Sequence, residues 1–100
     1  MKRHGISIDE GRIAAFCRKH GILCLRLFGS ILRQDFGPNS DVDVLVEFAP
    51  DSHVSLVGIC RMERQLAELI GRPVDLLTRE DLSPHIRHDV LASAEVQYGE

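Results

Sequence analysis

The spacing of apolar residues along the chain predicts alternating helices and short strands. Over about 9–20 the apolar positions follow helical spacing, with Ser7 or Asp9 available as the N-cap and Gly21 suited to a left-handed helix end. The apolar segment ILCLRLF (22–28) predicts a strand. A helical turn or short helix then follows over 30–34, and FGPNS (36–40) has the composition of a loop.

The second half of the chain repeats this alternation. VDVLVEF (42–48) is rich in β-branched residues and predicts a second strand, and the residues 49–52 that end it offer a helix cap. An apolar stripe over 54–70 predicts an amphipathic helix that ends at Gly71. We then expect a third strand at PVDLLT (73–78), a helix from Ser83-Pro84 to about 94, and a short edge strand over 95–98.

This element order predicts a single α/β (α+β) domain spanning residues 1–100, with a small mixed β-sheet flanked by helices. The loop at 35–41 is too short to hold a crossover helix, so the first two predicted strands should pair antiparallel. The third strand follows a long helix, and it is expected to run parallel to its neighbour.

Composition limits the classes of protein to consider. With 44% hydrophobic and 27% charged residues, the chain is typical of a soluble globular domain. A net charge of -3 gives no general attraction to nucleic acid, and no apolar run approaches the roughly 20 residues that span a bilayer. The N-terminus lacks the apolar core of a signal peptide, and the three cysteines have the pattern of reduced core thiols in a cytoplasmic protein.

Two aspartates, Asp41 and Asp43, lie at the start of the second predicted strand. Side chains alternate along a strand, so these two carboxylates point to the same face and repel each other. A hard divalent cation relieves such repulsion, and carboxylate oxygens suit Mg²⁺ or Mn²⁺. Asp75 has a similar setting in the third predicted strand. If the strands are neighbours, the three acids can converge on a metal site suited to phosphoryl or nucleotidyl transfer.

A phosphate site is predicted at the end of the first strand. Gly29-Ser30 lies at a strand-to-helix turn, where backbone N–H groups and a hydroxyl can hold phosphate oxygens, and Arg33 follows one turn later. Taken singly, Asp-x-Asp, Gly-Ser, Arg33 and Asp75 are more often ordinary structural or surface features. Their combination, at this spacing, favours a functional site.

The combination resembles the minimal prokaryotic branch of the nucleotidyltransferases of the DNA polymerase β superfamily. The matching segments are LFGS (27–30), Arg33, SDVDVLVEF (40–48) and GRPVDLLT (71–78), and the resemblance covers nearly the whole chain. It implies a polymerase-β-like palm fold. Asp41 and Asp43 would be metal ligands, Asp75 the third ligand and a candidate base, and Gly29, Ser30 and Arg33 the nucleotide site. The family often has Gly and then a small or acidic residue after the arginine, whereas this chain has Gln34-Asp35, which leaves that turn open.

Members this small resemble the antitoxins of HEPN/MNT toxin–antitoxin systems. The resemblance implies a Mg²⁺-dependent transfer of AMP from ATP to a tyrosine of a HEPN-family toxin, with a hetero-oligomeric partner, a cytoplasmic location and no direct nucleic-acid or membrane binding. Two alternatives stay open: a non-catalytic antitoxin that neutralises its toxin by contact, and a small-molecule nucleotidyltransferase of the antibiotic-modifying kind. Residues 56, 57, 69 and 70 exceed what one small core can bury, which indicates a partner surface.

Overall fold

The computed structural model describes residues 2–99, which form three α-helices and six β-strands. In chain order these are β1 Lys2–Arg3, β2 Ile6–Ser7, α1 Glu10–His20, β3 Ile22–Phe28, β4 Val42–Phe48, α2 Leu56–Ile70, β5 Val74–Leu77, α3 Pro84–Ser93 and β6 Glu95–Tyr98. Two 3-10 turns, Gly29–Leu32 and Arg79–Asp81, follow β3 and β5. No helix in this described part of the chain is long and apolar enough to cross a bilayer.

The main sheet has four strands in the order β5-β4-β3-β6. Strands β3 and β4 are antiparallel, β4 and β5 are parallel, and β6 pairs antiparallel with β3. The predicted mixed sheet, both predicted pairings and the closing edge strand are therefore confirmed. Because β4 and β5 run parallel, the first residues of both strands meet at the same end of the sheet.

Hydrophobic residues cover both faces of the sheet, but unequally. The larger core lies between one face and helices α1 and α2, and it includes the fully buried side chains of Val42, Val44 and Leu66. A smaller cluster on the opposite face contains Phe28, Leu45 and Leu82, with apolar residues of α3 packed against it. Because side chains alternate along β4, Asp43 lies on the face that carries the smaller hydrophobic cluster.

Of the two predicted helix caps, the one at α1 is confirmed at Asp9 and the one at α2 is wrong. Helix α1 is capped by Asp9, which accepts a hydrogen bond from the backbone N–H of Arg12 at 3.1 Å, and not by Ser7. The cap of α2 is Ser55, whose hydroxyl accepts from the N–H of Gly58 at 3.0 Å. The prediction that residues 49–52 supply this cap is wrong, because the N–H of Ser52 instead closes a turn onto the carbonyl of Ala49.

The N-terminal hairpin was not predicted. Strands β1 and β2 are each two residues long and turn at His4-Gly5, both of which have positive φ angles, 53° and 78°. Alternation cannot be recognised over so short a strand, which explains why the pattern of the sequence did not reveal it.

Only two of the three cysteines belong to the interior. Cys17 and Cys24 are buried, whereas Cys60 is exposed on α2, so the prediction of three core thiols is wrong for Cys60. Burial, followed by the neighbouring Cys24, raises the pKa of the Cys17 thiol to about 11. Cys17 therefore stays protonated and unreactive at neutral pH.

Candidate active site

Sheet pairing brings two of the predicted acids together. Asp43 is the register partner of Asp75 on the parallel neighbour strand, and of Phe28 on the antiparallel one. Neighbouring strands lie about 4.8 Å apart, so the two carboxyl-bearing residues stand side by side on one face. Asp41 lies immediately before β4 and two residues before Asp43, so a continuation of the strand's alternation would place its side chain on the same face. The three acids thus share one end and one face of the sheet.

Gly29 lies directly against the Asp43 carboxylate. Its φ angle is +77°, and a Cβ built on it would overlap Oδ2 of Asp43. A side chain at this position would therefore be strained by the backbone angle and would displace the carboxylate. The Gly-Ser turn and the Asp-x-Asp pair, predicted separately from the sequence, form one continuous surface.

The electrostatics of the site centre on Asp43, which is half-buried, while Asp41 and Asp75 are exposed. Burial is the main cause that raises the pKa of Asp43 above its ordinary value, followed by the negative charges of Asp75 and then Asp41. The positive charge of Arg33 acts in the opposite direction. The charges of Asp41, Asp75 and Arg33 are thus all felt at Asp43, as the sequence pattern predicted.

The turn after β3 holds the predicted phosphate-binding residues. Gly29 and Ser30 begin a 3-10 turn over Gly29–Leu32, where the N–H of Arg33 donates to the carbonyl of Ser30 at 2.9 Å. The Arg33 side chain is exposed, and its Nε donates to Oδ1 of Asp35 at 3.1 Å. The predicted helical turn is confirmed, and the exposed side chains of Arg33 and Asp35 form an ion pair beside it.

The donor chemistry of the three acids fits a divalent metal ion. Two neighbouring carboxylates and a third close by supply the hard oxygen ligands that Mg²⁺ prefers, and a cation would relieve the repulsion that raises the pKa of Asp43. Within residues 2–99, no group of three or more His, Cys, Asp or Glu side chains is arranged to hold a metal ion. The backbone positions of the three acids are thus close together, and metal binding by Asp41, Asp43 and Asp75 stays a prediction.

A family model described as "Nucleotidyltransferase domain" matches residues 12–96, which include every predicted site residue. The chain belongs to this family. It is 34% identical over 83 residues to a Methanocaldococcus jannaschii protein whose name describes it as a candidate protein adenylyltransferase, covering 83% of this chain and 87% of that protein. It is also 34% identical over 73 residues to the protein adenylyltransferase MntA of Thermococcus cleftensis, covering 73% and 72%.

Solved structures share the fold of this nucleotidyltransferase. One is a toxin–antitoxin complex with AMP-PNP, at a TM-score of 0.73 and 21% identity, covering 93% of this chain and 75% of the other. Another is a tri-AMPylated HEPN toxin from Shewanella oneidensis in complex with an MNT antitoxin, at a TM-score of 0.65 and 20% identity, covering 91% and 70%. The predicted fold class and the predicted family are both confirmed.

The nucleotidyltransferase site also has surroundings that the sequence pattern missed. Arg72, Phe36 and His4 form a cluster beside the loop that leads to Asp41. An arginine directly after the helix-ending Gly71 was the one available signal for this cluster. Its contacts join residues more than 25 positions apart, which local patterns do not reveal.

Proposed function

We propose that this nucleotidyltransferase is Mg²⁺-dependent and transfers AMP from ATP to a tyrosine of a HEPN-family toxin, thereby silencing it as an antitoxin. The observation that carries the proposal is the placement of Gly29 against Asp43, with Asp41 and Asp75 on the same face. This placement brings the turn that would bind phosphate next to the carboxylates that would bind the metal, which is the combination that nucleotidyl transfer requires.

The roles of the residues follow from their positions. Asp41, Asp43 and Asp75 would hold Mg²⁺, which when bound would neutralise phosphate charge and lower the pKa of the attacking hydroxyl. The backbone at Gly29, together with Ser30 and Arg33, would hold the ATP phosphates. The acceptor oxygen then attacks the α-phosphorus and pyrophosphate leaves. Asp75 is exposed on the outer strand, which suits it to accept the acceptor's proton.

The relatives support AMP as the transferred group and a toxin as the acceptor. Two proteins that are 34% identical to this chain carry the name of protein adenylyltransferases. A protein of the same fold is bound to an AMPylated HEPN toxin. In this chain Leu56 and Val57 remain 79% and 65% exposed, which suits a partner surface. The prediction that Leu69 and Ile70 belong to the same surface is wrong, because Ile70 is 6% exposed within the main core and Leu69 packs against that core.

The openness of the site favours a protein acceptor over a small molecule. Pockets for small ligands usually bury about 70–90% of the ligand surface. Here Asp41 and Asp75 are exposed at the end of the sheet. A cleft of about 620 Å³ lies at the other ends of β4 and β5, lined by residues such as Phe48 and Leu77, and includes none of the predicted site residues.

The contact-only antitoxin is disfavoured by the environment of Asp43. A half-buried carboxylate beside two others costs stability, as its raised pKa indicates. A module that acts only by contact gains nothing from this cost. We also propose a cytoplasmic location, where ATP is available and the buried thiols of Cys17 and Cys24 stay reduced.

The test is to co-express the chain with the product of the neighbouring gene and to measure the intact mass of that product. Wild type and the matched control Asp51→Asn, an exposed loop residue, should each add the mass of one or more AMP groups, and Asp43→Asn should add none. Full neutralisation of the toxin by Asp43→Asn, without any mass increase in wild type, would instead establish the contact-only antitoxin.

A further inference from the structure

Arg72 connects the two segments that lead into the acid-bearing strands. It lies between the end of α2 and the start of β5, and both hydrogen bonds of its Nη2 go to backbone carbonyls. One is donated to Gly37 at 2.8 Å and the other to Ser40 at 2.6 Å. Its guanidinium carbon also lies 4.6 Å from the centroid of the Phe36 ring. The side chain is thus held by a loop more than 30 positions away in the sequence.

The loop that Arg72 binds is a hydrogen-bonded turn immediately before Asp41. The N–H of Ser40 donates to the carbonyl of Gly37 at 3.1 Å, and the N–H of Gly37 donates to the Ser40 hydroxyl at 3.0 Å. The Ser40 carbonyl belongs to the peptide bond whose nitrogen is that of Asp41. By binding this carbonyl, Arg72 fixes the orientation of the peptide plane that joins Ser40 to Asp41. The Asp41 side chain extends from the Cα at the end of that plane.

A second bond ties the same two segments together. The N–H of Val42 donates to the carbonyl of Pro73 at 2.9 Å, so the residues on both sides of Asp41 are bound to Arg72 and Pro73. Asp75 follows two residues after Pro73. The side chain of Arg72 and the backbone of Pro73 therefore set the distance between the start of β4, with Asp41, and the start of β5, with Asp75.

The contacts of Phe36 extend this cluster to the phosphate-binding turn. The His4 ring lies 4.9 Å from the Phe36 ring, and its Nε2 is 3.0 Å from the carbonyl of Ile31, the residue after Ser30. The Phe36 ring thus contacts both Arg72, which binds the loop before Asp41, and His4, which contacts the Gly29–Leu32 turn.

We propose that Arg72 is a positioning residue that sets Asp41 relative to Asp75 for divalent-cation binding, an inference that rests on the proposed function. The site has no other described hydrogen bond from a side chain to the Ser40 carbonyl. Arginine suits the task because one planar group supplies two donors and stacks on an aromatic ring. Lysine keeps the charge but has a shorter reach and no planar face.

The experiment measures Mn²⁺ binding by electron paramagnetic resonance, in the presence of a non-hydrolysable ATP analogue and below the melting temperature of every variant. The variants are Arg72→Met, Arg72→Lys and, as the matched control, Arg12→Met, which removes an exposed arginine of α1. A parallel titration with a fluorescent ATP analogue in chelator measures nucleotide binding without metal. A variant that weakens Mn²⁺ binding but not metal-free nucleotide binding has lost the positioning of the acids. A variant that weakens both equally has a generally destabilised fold.

We expect Arg72→Met to raise the Mn²⁺ dissociation constant about tenfold, as for other residues that orient a metal ligand indirectly. Metal-free nucleotide binding should change less than about twofold, and Arg12→Met should match wild type. The Mn²⁺ dissociation constant of Arg72→Lys should lie between those of wild type and Arg72→Met. If the methionine variant does not fold, the comparison of Arg72→Lys with wild type tests the role of Arg72. Equal Mn²⁺ affinity in wild type and the folded Arg72 variants would overturn the role of Arg72 alone. Absence of Mn²⁺ binding in wild type would overturn the proposed function as well.

Discussion

At the scale of single residues, Asp43 is the position where the proposed function and the stability of the fold conflict. Its carboxylate is half-buried, beside two like charges and against the backbone of Gly29. The Asp-x-Asp spacing was enough to single out Asp41 and Asp43 as candidate metal ligands. It could not show that Gly29 lies in contact with Asp43, because that contact depends on the antiparallel register that pairs Phe28 with Asp43.

Replacement of Asp43 should therefore stabilise the metal-free protein. Because folding raises the pKa of Asp43, its contribution is favourable below its ordinary pKa and is lost as the pH rises through the folded value. Near neutral pH, Asp43→Asn removes a repelled charge at almost constant volume. We expect a gain of about 0.5–2 kcal/mol, the usual range for single stabilising substitutions.

The measurement is thermal unfolding in chelator near pH 7.5 and again at about pH 4, where the Asp43 carboxyl of wild type is increasingly protonated. The gap in melting temperature between Asp43→Asn and wild type should be larger at the higher pH, while Asp51→Asn should behave like wild type. A variant that is less stable than wild type near neutral pH would show that the Asp43 carboxylate is stabilised by its surroundings.

At the scale of elements, the sequence predicted the order of the helices and strands and both strand directions, with boundaries within about three residues. Strong apolar periodicity and helix-ending glycines explain this success, as at Gly21 and Gly71, whose φ angles are 69° and 83°. The N-terminal hairpin and the Arg72 cluster were not predicted. The strands of the hairpin are only two residues long, too short for alternation to be recognised, and the Arg72 cluster depends on contacts between distant segments.

The face of the sheet that carries the acids depends on a small cluster, which makes Leu82 a sensitive position. Leu82 is 5% exposed and packs with Phe28 and Leu45 beneath α3. Truncation of a buried leucine to alanine costs about 2–5 kcal/mol. Leu82→Ala should lose stability in this range, and AMP transfer should fall because Phe28 directly precedes Gly29.

Chemical denaturation of Leu82→Ala and the control Ile86→Ala provides the check. Ile86 is 49% exposed on α3, so its truncation should change the free energy of unfolding by only about 0.5 kcal/mol. If the two variants have equal stability, Leu82 does not pack on the acid-bearing face in solution.

At the scale of the whole molecule, family and fold could be predicted because the motif residues and the element order agree. The identity of the acceptor could not, since it depends on a surface supplied by another protein. The side-chain geometry of the proposed metal site could not be predicted either. Strand alternation places Asp41, Asp43 and Asp75 on one face, but it does not set the rotamers that bring oxygens to a common point.

Nucleotidyl transfer is distinguished from phosphoryl transfer by the phosphate that reaches the acceptor. The decisive measurement incubates the purified chain and its co-expressed partner with Mg²⁺ and ATP that is radiolabelled on either the α- or the γ-phosphate. Label should reach the partner from α-labelled ATP only, in wild type and Asp51→Asn, and from neither nucleotide in Asp43→Asn. Transfer of the γ label, or equal transfer of the α label by Asp43→Asn, would contradict the assignment of these carboxylates to AMP transfer.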